Sequence, residues 1–179
     1  MNLPNKLTML RMILIPFFVF FLLTDLCGDW GKYIALVIFA VASLTDLLDG
    51  QIARRRNLVT NFGKFMDPIA DKLLVSSAFI AFVQMGLLPA WIVIILIARE
   101  FIISGFRLVA SDAGIVIAAG WWGKFKTVFQ MIMCIMLIIN LDYYVVNIIE
   151  QVLIYISLAT SVISLVEYLV KNRKVISDM

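Results

Sequence analysis

The chain contains no histidine. That absence removes a histidine general base, a histidine-activated nucleophile and histidine-ligated zinc. Cysteine is nearly as scarce: Cys27 and Cys134 are far apart, and each lies in or beside an apolar segment. Such a pair indicates neither a disulfide framework nor a thiolate metal site. Charge is thin as well, with Asp, Glu, Lys and Arg making up 15% of the 179 residues. Low-complexity linkers and clear internal repeats are missing, and the length leaves no room for a separate soluble domain. What fills the chain instead is apolar: 63% of residues are hydrophobic and the mean hydropathy is +1.03, against roughly half apolar in a soluble globular domain. The expectation is one all-α integral membrane domain covering residues 1–179.

Six apolar runs divide the chain, at about residues 12–23, 33–48, 62–83, 90–109, 125–139 and 145–170. Each, with its flanks, can form a transmembrane helix of roughly 17–25 residues. Pro16 is a candidate kink in the first, and Pro68, near the start of the third, is tolerable where few N–H bonds are lost. Asn5 and Thr8 can cap or flank the first helix, and Arg11 can face a head group. Trp30, Trp121 and Trp122 read as interfacial anchors, the last two in a longer loop at 111–126. A basic start followed by an apolar run also fits a secretory signal. No small-x-small cleavage site follows it, so the segment is expected to remain.

Lys and Arg placement sets the orientation. With six spans, one side collects Lys6, Arg11, Arg54 to Arg56, Lys64, Arg107, Lys124, Lys126 and the basic tail, whereas the loops of the other side hold only Lys32. Both termini are therefore expected to be cytoplasmic.

The stretch from Asp46 to Asp71 carries four aspartates, three consecutive arginines and two glycines. Charges at the mouths of apolar segments are expensive and point to a site. On a helix, Asp46, Asp49, Gly50 and Ala53 share one face, as do Gly63, Asp67 and Asp71 on the next. The rise between Asp46 and Asp49 is only ~4.5 Å, and between Asp67 and Asp71 ~6 Å. If those faces meet, four carboxylates converge, and Gly50, Ala53 and Gly63 leave room for a ligand or facing backbone. Converging carboxylates repel, and burial would protonate some of them unless cations intervene. About two divalent ions would balance them, and all-oxygen ligation suits Mg²⁺ or Mn²⁺, which can bridge phosphate oxygens. Arg54 follows directly and can bind a phosphate bidentately. Simple helix capping does not require face-matched spacing on both helices.

These residues, in the order Asp46-x2-Asp49-Gly50-x2-Ala53-Arg54-x8-Gly63-x3-Asp67-x3-Asp71, resemble the full signature of the CDP-alcohol phosphatidyltransferases. Within that family, the N-terminal N-K-L-T-x-L-R and the segment A-R-E-F-I-I-S-G-F-R at 98–107 are similar to bacterial phosphatidylglycerophosphate synthases. Those enzymes transfer a phosphatidyl group from CDP-diacylglycerol to sn-glycerol 3-phosphate and release CMP. The resemblance implies six helices around a cytoplasm-facing polar cavity, a bacterial inner-membrane location and a homodimer. It also implies that Asp46, Asp49 and Asp67 are metal ligands, and that Asp71 is both close to the metal and the general base. Gly50, Ala53, Arg54 and Gly63 would line the cytidine diphosphate pocket, with Asn5, Thr8 and Thr60 as neighbours. No nucleic-acid partner is expected.

The phosphorylated acceptor needs positive charge of its own. Arg107, Lys124 and Lys126 flank one predicted cytoplasmic loop, and Arg99 points into the bundle from the fourth helix; Arg107 and Lys124 are assigned the acceptor phosphate first. The competing reading of Lys124 and Lys126 is interfacial anchoring, and of Arg55 and Arg56 attraction to anionic head groups. Arg99 and Glu100, adjacent in sequence, leave the helix on different sides and need not pair with each other. Another alcohol acceptor such as inositol phosphate is an alternative within the same chemistry. An intramembrane prenyltransferase would need two aspartate motifs on well-separated helices, and a cation channel would need acidic residues reaching both faces.

Overall fold

The computed structural model describes residues 3–28, 30–56, 61–112 and 120–173, with the side chains of 3–4, 46–56, 61–65, 67–68 and 112 outside the description. The described residues form six α-helices: α1 (Leu3–Leu23), α2 (Trp30–Arg56), α3 (Asn61–Gln84), α4 (Ala90–Asp112), α5 (Trp121–Ile139) and α6 (Tyr144–Lys171). Each expected apolar run lies within one helix. The helices outrun the apolar stretches at their polar ends, because a helix continues wherever its polar residues find protein or water to bond. Residues 121–126, expected in a loop, are the first turns of α5, and α1 continues through Pro16.

The chain divides into two compact units, Met1–Leu88 and Pro89–Met179. In the first, α1 packs against α2 and α3, which also touch each other. Ile15, Phe18 and Leu22 of α1 are buried against Ala35, Phe39 and Ala42 of α2 and Leu74, Ala78 and Phe82 of α3. These spacings of three, four and seven are those of one helix face. The Phe18 and Phe39 rings meet with centroids 5.5 Å apart at 43°. A 3-10 turn at Asp25–Cys27 reverses the chain, and Gly28 follows with φ of +51°, a conformation glycine adopts without strain. A Cβ on Gly31 would come within 3.0 Å of the Phe21 carbonyl oxygen, so the start of α2 lies directly against the end of α1. Leu22, Gly28, Lys32 and Met85 line an open cavity of about 390 Å³ at this end. The end of α1, the start of α2 and the end of α3 therefore share one end of the unit.

In the second unit, α6 packs against α5 and α4. Glu150, Ile154, Ser157, Ser161, Ser164 and Tyr168 form its buried stripe, opposite Lys126, Gln130, Met133, Cys134 and Leu137 of α5. Serines in that stripe allow close approach of the backbones, the usual packing device where no water drives helices together. Asn140 ends α5 in the left-handed conformation, φ +45°, with its N–H on the Met136 carbonyl. Asparagine is among the few residues that enter this region readily.

Apolar and polar groups are distributed inside out relative to a soluble protein. Val37, Ile80, Ile94 and Val170 are each at least 60% exposed, while Arg11, Arg99, Lys126 and Glu150 are at most 8% exposed. Hydrocarbon around the helices favours this arrangement, since it solvates valine and isoleucine but not an unpaired charge. Among the described residues, Asn5–Leu23, Trp121–Ile139 and Tyr144–Lys171 are long and apolar enough to cross a membrane. α2 offers a shorter apolar stretch, Trp30–Thr45, and α4 carries Arg99, Glu100 and Arg107 in its length.

Phe39→Ala is expected to destabilise the first unit by about 3 kcal/mol, read as a lowered thermal midpoint of the detergent-solubilised protein. Val37→Ala, on the exposed side of α2, should leave it within error.

Candidate active site

The aspartate motif is divided between two continuous helices that pack on each other. Asp46, Asp49, Gly50, Ala53 and Arg54 belong to α2, and Gly63, Asp67 and Asp71 to α3. Of their side chains only that of Asp71 lies within the description, and Thr60 lies outside the described residues. Asp71 is exposed, next to the buried Ala70, and it has an interaction partner. A carboxylate at that position is reachable by a ligand yet sits on a helix anchored through Ala70 and Leu74.

α1 adds a polar stripe to the same end. Asn5, Thr8 and Arg11 are 7%, 0% and 0% exposed, and the stripe continues through Ile15, Phe18 and Leu22. Two expectations are corrected here. Asn5 and Thr8 do not cap or flank the first helix; they lie inside it, because α1 begins at Leu3. Arg11 does not face a head group; the helix phase that turns Ile15 and Phe18 inward turns Arg11 inward too. From the end where α1 and α2 join, Arg11 is roughly 18 Å along α1, Asp71 roughly 20 Å along α3, and Asp46 roughly 24 Å along α2. The buried cation and the acidic motif thus occupy similar heights at the end away from the 390 Å³ cavity. A fully buried guanidinium requires partners, and Arg11 is not without them.

The second unit gathers a different set. Arg99 donates from Nη1 to Glu100 Oε1 at 3.0 Å and from Nη2 to Ser164 Oγ at 2.5 Å, and Lys126 donates to the same Glu100 oxygen. Helices α4 and α5 meet at the Glu100 carboxylate, and α6 joins the cluster through Ser164 on the Arg99 guanidinium. Arg99 and Glu100 do pair, although adjacent residues leave a helix about 100° apart; long side chains curve back along the surface. Arg99 and Lys126, 8% and 5% exposed, are buried, and Lys126 lies within α5 rather than beside a loop. Arg107 and Lys124 are exposed: the Arg107 guanidinium lies 6.0 Å from the Tyr168 ring centroid and the Lys124 ammonium 4.9 Å from that of Trp121. The four basic residues singled out in sequence therefore fall into two kinds, a buried pair bridged by a carboxylate and an exposed pair resting on aromatic rings.

Ser164 and Glu100 are the members of this cluster that sequence reasoning did not place. Ser164 carries no local signal beyond its position on the buried stripe of α6, and for Glu100 the sequence suggests a partner elsewhere in the bundle without naming it, which Lys126 supplies.

The sequence model of the CDP-alcohol phosphatidyltransferase family matches residues 1–163, across both units. A CDP-diacylglycerol–glycerol-3-phosphate 3-phosphatidyltransferase of Bacillus subtilis is 43% identical, over 96% of this chain and 95% of the relative. One of Haemophilus influenzae is 38% identical over 94% and 91%, and one of Escherichia coli K12 is 43% identical over 73% of each chain. The chain belongs to the CDP-alcohol phosphatidyltransferase family. It is a transferase of phospholipid biosynthesis.

Arg11→Met would leave the groups around a buried cation without it, at an expected loss of about 3–5 kcal/mol. Thermal unfolding in detergent should show this, with Leu10→Ala, on the exposed face of α1, unchanged.

Proposed function

We propose that the protein transfers the phosphatidyl group of CDP-diacylglycerol to sn-glycerol 3-phosphate, forming phosphatidylglycerophosphate and CMP. The observation that carries this reading is the likeness to relatives bearing that name over nearly the full length of both chains, together with all eight signature residues in register. The family match runs through both units, which supports a single functional domain.

The donor set on α2 and α3, four carboxylates and no nitrogen or sulfur, fits a hard divalent cation such as Mg²⁺ or Mn²⁺. Asp46, Asp49 and Asp67, with Asp71 beside them, would hold about two ions, which when bound polarise the diphosphate and neutralise charge on departing CMP. Gly50, Ala53, Arg54 and Gly63 admit the cytidine diphosphate, with Asn5, Thr8 and Thr60 around it. A free hydroxyl oxygen of the acceptor attacks the phosphorus that bears diacylglycerol. As that P–O bond forms, the bond from phosphorus to the CMP phosphate breaks, and the hydroxyl proton passes to the Asp71 carboxylate. Arg107 and Lys124, with Lys126 and Arg99 behind them, hold the acceptor phosphate as point and fork donors. All six helices cross a bacterial inner membrane with both termini and the site cytoplasmic, as the basic residues favour, and two copies form a homodimer.

Purified protein given radiolabelled glycerol 3-phosphate and CDP-diacylglycerol should form labelled lipid with Mg²⁺ or Mn²⁺ and lose that activity in excess EDTA. Labelled product from inositol phosphate alone would move the acceptor assignment, and no product from any acceptor would refute the transferase reading.

Asp71→Asn should keep the thermal midpoint and lower turnover at least ~10²-fold. Asp46→Ala and Asp67→Ala should remove the metal-dependent activity.

Arg107→Ala should raise the KM for glycerol 3-phosphate more than that for CDP-diacylglycerol. An equal change in both would take Arg107 out of the acceptor site.

A further inference from the structure

The Arg99–Glu100–Lys126 cluster has features that a simple ion pair lacks. It combines two cations and one carboxylate, so it keeps a net positive charge, and every member is at least half buried. Side-chain exposure is 9% for Arg99, 16% for Glu100 and 6% for Lys126. A single oxygen, Glu100 Oε1, receives both cations, and Ser164 holds the guanidinium from α6. One donor of the guanidinium, Nε, is buried without a hydrogen-bond partner. At Gly123 a Cβ would stand 3.7 Å from Ser164 Oγ and 3.8 Å from Arg99 Nη2, so α5 approaches the guanidinium at a residue that offers no side chain.

A bare lysine and a bare arginine would serve an anionic ligand poorly. Each carries rotamer entropy that must be lost on binding, and their like charges repel when brought together. A carboxylate between them removes the repulsion and fixes both heads before the ligand arrives. A serine on a third helix restricts the guanidinium from the other side. This is preorganisation, in which binding gains because the ordering is done on folding. Glu100 itself, as an anion, cannot contact the phosphate; it acts through its neighbours.

We propose that Glu100 and Ser164 are positioning residues for the acceptor. Glu100 holds Arg99 and Lys126 together as one singly charged cradle for the phosphate of the acceptor alcohol, and Ser164 sets the plane of the Arg99 guanidinium. The inference rests on the assignment of Arg99 and Lys126 to the acceptor phosphate. It goes beyond that assignment in saying that the basic pair works only as an assembly, with a carboxylate of α4 and a hydroxyl of α6 as its frame.

The test is steady-state kinetics of full-length protein in mixed micelles, varying glycerol 3-phosphate and CDP-diacylglycerol separately, with the thermal midpoint measured in parallel. Glu100→Gln keeps the shape but not the charge that gathers the cations. It should raise the KM for glycerol 3-phosphate about tenfold, or ~1.4 kcal/mol, with kcat within threefold and the KM for CDP-diacylglycerol within twofold. Lys126→Met should act in the same direction, and the double variant should fall short of the sum of the two single effects, because part of the effect of Glu100 passes through that ammonium. Ser164→Ala keeps every charge and is the milder probe should Glu100→Gln not fold; it should raise the same KM about threefold. Ser164→Thr, which retains the hydroxyl, should restore it.

A fall in the KM for glycerol 3-phosphate in Glu100→Gln would overturn the proposal, since the carboxylate would then be a competitor of the phosphate. Equal changes in both KM values, additive effects in the double variant, or Ser164→Ala kinetics identical to wild type would also overturn it, leaving the cluster a helix clamp. Wild-type protein inactive with glycerol 3-phosphate would refute the functional assignment instead, which separates the two failures.

Discussion

An ionised side chain facing lipid tails has nothing to solvate it, and this constraint organises both halves of the molecule. Arg11, Arg99 and Lys126 turn inward among helices while valines and isoleucines turn outward. The penalty for exposing a charge to hydrocarbon is contested in size but always unfavourable. Inside a helix bundle the same charge must be answered, and Arg99 and Lys126 each find a partner on a neighbouring helix. The cluster that joins Glu100 and Arg99 of α4 to Lys126 of α5 and Ser164 of α6 shows the result. The buried polar groups thereby help to specify how the helices pack.

The two units use this constraint differently. In the first, the buried face of α1 is polar in its first half and apolar in its second, grading from Asn5, Thr8 and Arg11 to Ile15, Phe18 and Leu22. One end is thereby polar inside and the other is closed by apolar packing. In the second unit, the buried stripe of α6 is polar along most of its length, from Glu150 through Ser157, Thr160, Ser161 and Ser164 to Tyr168, with Ile154 its aliphatic member. The Ser157 and Ser161 hydroxyls of that stripe, and Gln130 Nε2 on the facing α5, are buried without a protein hydrogen-bond partner. Such groups typically depend on buried water or ligand.

Much of the helical layout was legible because lipid-facing surface imposes long apolar runs. The run at 62–83 sits inside α3, Asn61–Gln84, and that at 145–170 inside α6, Tyr144–Lys171. Where the helices extend into polar sequence, the pattern misleads. Residues 3–11 and 121–126 look like polar flanks, and both are helical because tertiary burial of Arg11 and Lys126 supports turns that hydropathy alone does not. The acidic motif was legible for a different reason: spacing by threes and fours on two predicted helices is informative when charges are rare. Ser164 was not, since one serine among the α6 serines has no distinguishing neighbour. Pairing between Arg99 and Glu100 was missed because helix phase fixes where Cβ points and leaves the head of a long side chain free to swing back.

The close approach at Gly31 bears on how the molecule is assembled. With no methyl between it and the Phe21 carbonyl, the reversal after Leu23 is tight, and the interface of α1 with α2 closes through partners near in sequence. Closing a short loop loses little chain entropy, and local interfaces form ahead of distant ones. The first two helices can thus pair as a hairpin before the third packs against them.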